Sequence, residues 1–505
     1  MFTFTCGILI LIAAYFAYGK FVEKIFGIDT SRATPVMRLA DGIDFQPIPV
    51  WKMLLIQLLN IAGLGPIFGA IMGAMFGTMA YVWIIVGCIF MGAMHDFFGG
   101  FISLRNNGMS LPNVVGMYLG KYTKVFMIIF STFLLMVVGV LFTKGPADLL
   151  ENLGKMVIDT AVPASETNGG LRDWLFSLNS VYVWMAIVLF YYLLSTLFPI
   201  DKLIGKIYPF FAAAFIFMAI GLSGAIFYYG FSGTITVPEL SLDVFKNMHH
   251  DPVHNFIFPM LFVTISCGAI SGFHATQSPM MARCMTNEKY ARPVFYGAMI
   301  LEGLIAWIWA TAAIAYCGGV EGLNDSGVPV AVLVNNICRD WLGVAGAIFA
   351  VLGVIICPIT SGDTALRAVR LTIADTFMIP QRSLKTRLAI SVPIVVIVAL
   401  ACLGDFGVIW RYLGIANQVI ASITLWTAMT YLIIVRKPHW IASVPAVFMT
   451  WVCASYFLLA QPVVGGLGVP NVTLGYVVGG LVAGTIFALV YIAARKKADG
   501  ALSAE

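Results

Sequence analysis

Apolar runs of about 20 residues recur along the whole chain, separated by short polar segments. Thirteen stretches are long enough to cross a hydrocarbon core of about 30 Å as helices rising about 1.5 Å per residue. They are about 3–21, 51–80, 81–104, 122–143, 181–199, 209–229, 256–284, 293–318, 342–363, 386–403, 407–435, 439–459 and 474–493. Two of them are unusually long and interrupted. In 51–80 the sequence Asn60-Ile-Ala-Gly-Leu-Gly-Pro-Ile-Phe-Gly69 sets Gly63, Gly65 and Pro66 near the middle, where two glycines and a proline weaken a helix most. In 256–284 the sequence Cys267-Gly-Ala-Ile-Ser-Gly-Phe-His-Ala-Thr-Gln-Ser-Pro279 places Gly268, Gly272 and Pro279 among polar side chains. A break at membrane depth survives only where freed backbone groups are buried in protein or line a cavity. Such half-helix ends bind ions and small polar solutes in transporters. The alternative for 51–80 is a kinked packing helix, since Gly65, Gly69, Gly73 and Gly77 recur every four residues as in a close helix–helix contact.

Counted from the first interrupted span, the interruptions fall in spans one and six of ten. Five is odd, so the second set of five enters the membrane upside down relative to the first. Paired interruptions in matching positions of inverted halves point to the binding site. The expected fold is an all-α polytopic membrane protein of about 13 transmembrane helices, with a LeuT-like five-plus-five inverted repeat, one extra helix before it and two after. The chain divides into an N-terminal helix and inner loop (1–50), a first repeat (51–229), a second repeat (256–435), two C-terminal helices (439–493) and a cytoplasmic tail (494–505). The first run, about 3–21, lacks a basic leader and a small-residue cleavage site and is read as a retained helix.

Charge distribution tests the count. With the N-terminus outside and the C-terminus inside, 23 of the 29 Lys and Arg fall in segments assigned to the cytoplasm, as the positive-inside rule requires. The outer side keeps six: Lys144, Lys155, Arg172, Lys246, Arg339 and Arg411. A missed helix would scramble this alternation. The expected location is the cytoplasmic membrane. The longest outer loop, about 144–180, is expected to carry a short amphipathic helix. Composition agrees: 60% of the 505 residues are hydrophobic and 10% charged, with mean hydropathy +0.93, a balance foreign to water-soluble folds. Nine cysteines form no C-x-x-C pair and read as small buried hydrophobes. Cys317 and Cys338 flank one loop, but no disulfide is expected. No cofactor is implied beyond H⁺ or Na⁺ as coupling ion. The partners are a small-molecule substrate and the lipid bilayer, and nothing points to nucleic acid.

Ionisable residues inside spans are costly and commonly functional. His95-Asp96 stands about two-thirds along its helix. The pair either serves ion coupling or is satisfied near the interface by Arg105. Asp363 lies in Thr360-Ser-Gly-Asp-Thr364, with Arg367 one turn on. It either forms an intrahelical ion pair, or Thr360, Ser361, Asp363 and Thr364 face the first break and hold Na⁺ or relay a proton. Glu302 reads as a structural pairing. His274 in the second break either titrates for proton coupling or is a satisfied structural imidazole. Asn417-Gln418 bridges neighbouring helices or borders the cavity. The candidate substrate-binding set is Asn60, Ala62, Gly63, Gly65, Gly268, Ser271, Gly272, His274, Asn417 and Gln418. The candidate coupling-ion set is His95, Asp96, Thr360, Ser361, Asp363 and Thr364.

Several motifs converge on one family. Ala40-Asp-Gly-Ile-Asp-Phe45, Asn60-Ile-Ala-Gly-Leu-Gly-Pro66, Gly92-Ala-Met-His-Asp-Phe97 with Ser103-Leu-Arg105, and Cys267-Gly-Ala-Ile-Ser-Gly-Phe-His274 occur in order. Tyr296-Gly-Ala-Met299 with Glu302, Asp363-Thr-Ala-Leu-Arg367 and Gly414-Ile-Ala-Asn-Gln418 follow. On these residues, from about 34 to 435, the chain resembles the carbon-starvation protein A (CstA) family of inner-membrane transporters. The resemblance implies uptake of peptides or pyruvate and the fold of the amino acid–polyamine–cation superfamily. Two positions depart from the family pattern: Ile56 stands where a His commonly precedes Gln57, and Gln277-Ser-Pro-Met-Met-Ala282 replaces a Ser/Gly/Thr run.

The leading expectation is a secondary transporter importing a short peptide or a small carboxylate such as pyruvate by cation-coupled alternating access. Its rival is a membrane sensor that binds the same solute without moving it. No G-x-x-x-x-G-K-[ST] loop argues for ATP-driven transport, and neither H-E-x-x-H nor G-x-S-x-G argues for an enzyme.

Overall fold

The computed structural model describes residues 1–40, 45–162, 169–195, 200–379 and 383–502, with 169, 200–209, 375, 376, 501 and 502 described by backbone alone. Asp41–Asp44 of the Ala40–Phe45 motif and Arg382 of the inner charge set lie outside the described residues. Among those described, the regular structure is entirely helical. Ten helices are long and apolar enough to cross a membrane, and twelve do so if each of two bent pairs counts as one span. The expected count of 13 differs by the stretch 256–284. Its helical pieces, ending at Thr264 and resuming at Gly272, are short and separated by residues outside any helix.

Two expected spans are the membrane parts of longer rods. The Lys121–Ala161 helix has 41 residues, and at about 1.5 Å each it overshoots the hydrocarbon core by several turns. Most of the first half of the expected outer loop is therefore helix continuing from the membrane, and Gly169–Leu178 supplies the short helix in its second half. The stretch Val330–Thr376 turns at Gly343, whose φ of 69° separates the segment before it from the membrane helix. No disulfide joins the cysteines among the described residues.

The two interrupted helices cross at the centre of the bundle. The first consists of Val50–Ile61 and Gly65–Ala74, bent by 58°. The second runs through Ile257–Leu261 and Phe262–Thr264, breaks, and resumes as Gly272–Cys284. A Cβ on Gly65 would stand 2.1 Å from Cys267 Cβ, so only glycine lets the breaks touch there. Gly69 faces the Thr264 carbonyl and Gly73 faces the Ile265 side chain. Gly65, Gly69 and Gly73 thus form the seam along which one broken helix packs on the other, as the packing reading of the stripe expects, while Gly77 faces Lys246 and Met248.

Polar contacts sort the loops into two ends. At one, the Phe2 and Thr3 amides donate to the Glu239 carboxylate at 2.8 and 2.6 Å. Asn324 Nδ2 donates to the Met75 and Met248 carbonyls, and Lys144 Nζ donates to the Gly404 carbonyl. At the other, Arg105 pairs with Glu288 at 2.9 Å and donates to the Gly27 carbonyl, Arg283 donates to Gly108, and Lys497 to Tyr118. Each contact joins loops that the charge pattern puts on the same side.

Candidate substrate and coupling site

The first break opens because Ala62, at φ −79° and ψ 52°, leaves the helix. The freed carbonyls of Leu59 and Asn60 lie 3.0 and 2.9 Å from Ser361 Oγ. Gly63 packs on the Phe142 ring. At the second break Gly268 takes φ +87°, a left-handed conformation that suits glycine, with Ala306 too close for a side chain.

Asn417 and Gln418 stitch the second break. Asn417 Oδ1 accepts from Ser271 Oγ at 3.0 Å and from the Phe273 amide at 2.9 Å, capping the half-helix that starts at Gly272. Gln418 Nε2 donates to the Phe262 carbonyl at 2.7 Å on the other side of the break. One dipeptide on the Phe406–Ile434 helix thus serves both half-helices, as orphan ends require. Asn417 Nδ2, Gln418 Oε1 and both polar atoms of Gln57 are buried without a protein partner. An unpaired buried amide group costs about 1–3 kcal/mol, so these atoms remain open to a polar partner.

A second cluster lies against this break. Asp96 Oδ1 is 2.8 Å from His95 Nδ1, and its Oδ2 is 2.8 Å from His274 Nδ1. His274 Nε2 faces Glu302 Oε2 at 3.3 Å. All four side chains are fully buried, and neither carboxylate forms an ion pair with a Lys or Arg among the described residues. Arg105, offered above as a partner for Asp96, is engaged by Glu288. Glu302, read from sequence as a structural pairing, joins the chain His95–Asp96–His274–Glu302. The chain links the Met79–Arg105 helix, the second break and the Gly297–Tyr316 helix. Cys267, His274 and Glu302 also bring three ligand atoms within 4.8 Å of one another, so they could hold a metal ion.

The Thr360–Thr364 cluster does not assemble as one Na⁺ cage. Successive helical residues turn about 100°, so Asp363 points about 200° away from Ser361. Its carboxylate accepts from Ser195 Oγ and sits 3.7 Å from Arg367 one turn on. Thr360 and Thr364 donate to the carbonyls of Cys357 and Ser361 on their own helix. Ser361 alone of the four is shown bonded to the first break.

The model of the family described as carbon starvation protein CstA matches residues 1–162, 154–327 and 310–455. The chain belongs to the CstA family. An uncharacterized membrane protein of Haemophilus influenzae is 42% identical over 63% of this chain and 92% of its own. The peptide transporter CstA of Campylobacter jejuni is 26% identical over 88% of this chain and 77% of its own. The pyruvate/proton symporter BtsT of Escherichia coli is 25% identical over 60% of this chain and 47% of its own. Among solved structures, MhsT in complex with L-phenylalanine superposes with TM-score 0.56 at 13% identity, covering 89% of this chain and 99% of its own. A manganese transporter of Eremococcus coleocola gives TM-score 0.50 at 12% identity, covering 91% and 98%. The fold is that of the LeuT-like transporters, with their five-plus-five inverted repeat.

Proposed function

We propose that this CstA-family chain is a secondary transporter of the cytoplasmic membrane that imports a small carboxylate or a short peptide in symport with protons. The observation carrying this reading is the buried chain His95–Asp96–His274–Glu302 beside the second break. Two carboxylates whose only basic partners among the described residues are imidazoles need protons to be neutral in a low-dielectric interior. Their number can change when the break moves, because His274 belongs to the break itself. The relative BtsT, a pyruvate/proton symporter, supports the same coupling ion.

Substrate binding falls to the two breaks. The Phe273 amide at the N-terminus of the Gly272–Cys284 half-helix, now held by Asn417 Oδ1, is a donor that a substrate carboxylate could take over, helped by the positive end of the helix dipole. Unpaired Asn417 Nδ2, Gln418 Oε1 and Gln57 complement an amide or keto group. Na⁺ in place of H⁺ would rest on Ser361 with the Leu59 and Asn60 carbonyls. The charge pattern supports an outside N-terminus and a cytoplasmic C-terminus, and family membership supports a link to carbon starvation.

The test is uptake by purified protein in liposomes, with labelled pyruvate or a mixed dipeptide pool under separate inward proton and sodium gradients. Proton-driven accumulation supports the proposal, and accumulation driven by sodium alone replaces the coupling ion. Binding without accumulation under either gradient would make the chain a sensor.

A further inference from the structure

We infer that Arg411, with Thr264 and Asn255, forms an outer receiving site for the substrate's carboxylate. Arg411 follows Trp410 in the first turns of the Phe406–Ile434 helix, on the same end of the bundle as Lys144 and Gly404. Its Nη1 donates to Thr264 Oγ1 at 2.8 Å and its Nη2 to Asn255 Oδ1 at 2.5 Å. Both acceptors are neutral: they aim the guanidinium without cancelling its charge.

The nearby acids are otherwise engaged. Asp251, which accepts from Asn255 Nδ2, pairs with His254 at 3.0 Å, and Asp405 caps the Val408 amide at 2.9 Å. Arg411 forms no ion pair among the described residues. A half-buried cation near the membrane without a counter-charge is expensive and calls for an anionic partner. A guanidinium fork fits a carboxylate with two parallel hydrogen bonds.

Its position suits arrival at the breaks. Thr264 is the last helical residue before the second break, and its carbonyl abuts Gly69 of the first broken helix. The Trp410 ring also lies against Gly69 and stacks on Phe68 with centroids 6.3 Å apart. A carboxylate held at Arg411 therefore stands beside Thr264, at the edge of the joint between the two half-helix pairs. Arg411 is a binding residue that raises capture of anionic solutes and leaves the proton step to the buried chain.

This inference rests on the transport reading, and its test separates the two. Uptake of labelled pyruvate, dialanine and the C-terminal amide of dialanine is measured in proteoliposomes of wild type, Arg411→Gln and Arg411→Lys. Wild type is expected to transport an acid and discriminate against the amide. Arg411→Gln should raise KM for the acid at least 10-fold, change kcat less than threefold and lose the discrimination. Arg411→Lys should fall between. An unchanged KM in Arg411→Gln beside an active wild type overturns the inference and leaves the transport reading standing. Wild type that accumulates none of the probes removes both. If Arg411→Gln does not yield folded protein, Thr264→Val, which releases Nη1, should raise KM severalfold. No change there also overturns the assignment.

Discussion

His274 Nδ1 lies 2.8 Å from Asp96 Oδ2 inside the bundle, and the two residues come from different elements, one from a broken half-helix and one from a continuous helix. The pair therefore ties the second broken helix to a continuous neighbour. Alternating access needs such a link if proton binding is to bias one arrangement over another.

Asp96→Asn and Glu302→Gln each remove a titrating oxygen and keep the shape. Both are expected to abolish proton-driven accumulation, lowering it at least 10-fold, while substrate counterflow at equal pH is retained within severalfold. Parallel loss of counterflow would show a structural role for the carboxylate instead.

Gly65 and Cys267 meet where the two breaks cross, and Gly65→Ala would force a methyl to within 2.1 Å of Cys267 Cβ. Small-to-large changes in tight packing cost about 1–3 kcal/mol. Gly65→Ala should lose transport, and adding Cys267→Gly should restore part of it, because that change empties the colliding volume. A double mutant no better than the single would place the defect elsewhere.

Asn417→Ala removes the acceptor shared by Ser271 Oγ and the Phe273 amide. Loss of a helix cap costs about 1 kcal/mol, and stranding a buried donor adds a similar amount. The thermal midpoint of detergent-solubilised protein should fall by a few degrees, and substrate should restore less of it than in wild type. A midpoint equal to wild type would mean that the break is held by other contacts.

In the loop before the second broken helix, burial pushes His249 down to about 4, the charges of His250 and Arg411 add to this, and Asp251 opposes it. Its ring rests on Phe76, centroids 4.7 Å apart, and its Nδ1 accepts from the Asp251 amide at 3.1 Å, a bond only the neutral ring can make. The ordinary value is about 6.5. Between these values the unfolded chain binds a proton that the folded loop refuses, so stability is lost as pH falls from about 6.5 towards 4. Wild type should melt at progressively lower temperature across that window, and His249→Gln should show a shallower fall. Identical slopes would remove His249 as the source.

The sequence by itself determined the membrane class, the two breaks, their place at the heads of two inverted halves, and which loops share an end, because lipid imposes one rule at every position. A stretch must be apolar and helical unless protein covers its backbone, so Gly63, Gly65 and Pro66 in an apolar run stand out without any knowledge of their neighbours. Asn417-Gln418 was visible for the same reason, but not that Asn417 caps one half of the second break while Gln418 holds the other.

Tertiary structure decided the partners. Glu302, a turn or so inside its helix, read as a structural pairing with no partner named, and it faces His274 of the second break at 3.3 Å. Asp363, grouped with Ser361 by adjacency, is turned to the other side of its helix by the two helical steps that separate them. Arg411 entered the sequence reading only as an outer charge, though the absence of an acid three or four residues to either side was a signal that its partner lay elsewhere. A charge inside a membrane must be answered by something, but what answers it is set by the crossing of helices distant in sequence, and no local pattern encodes that crossing.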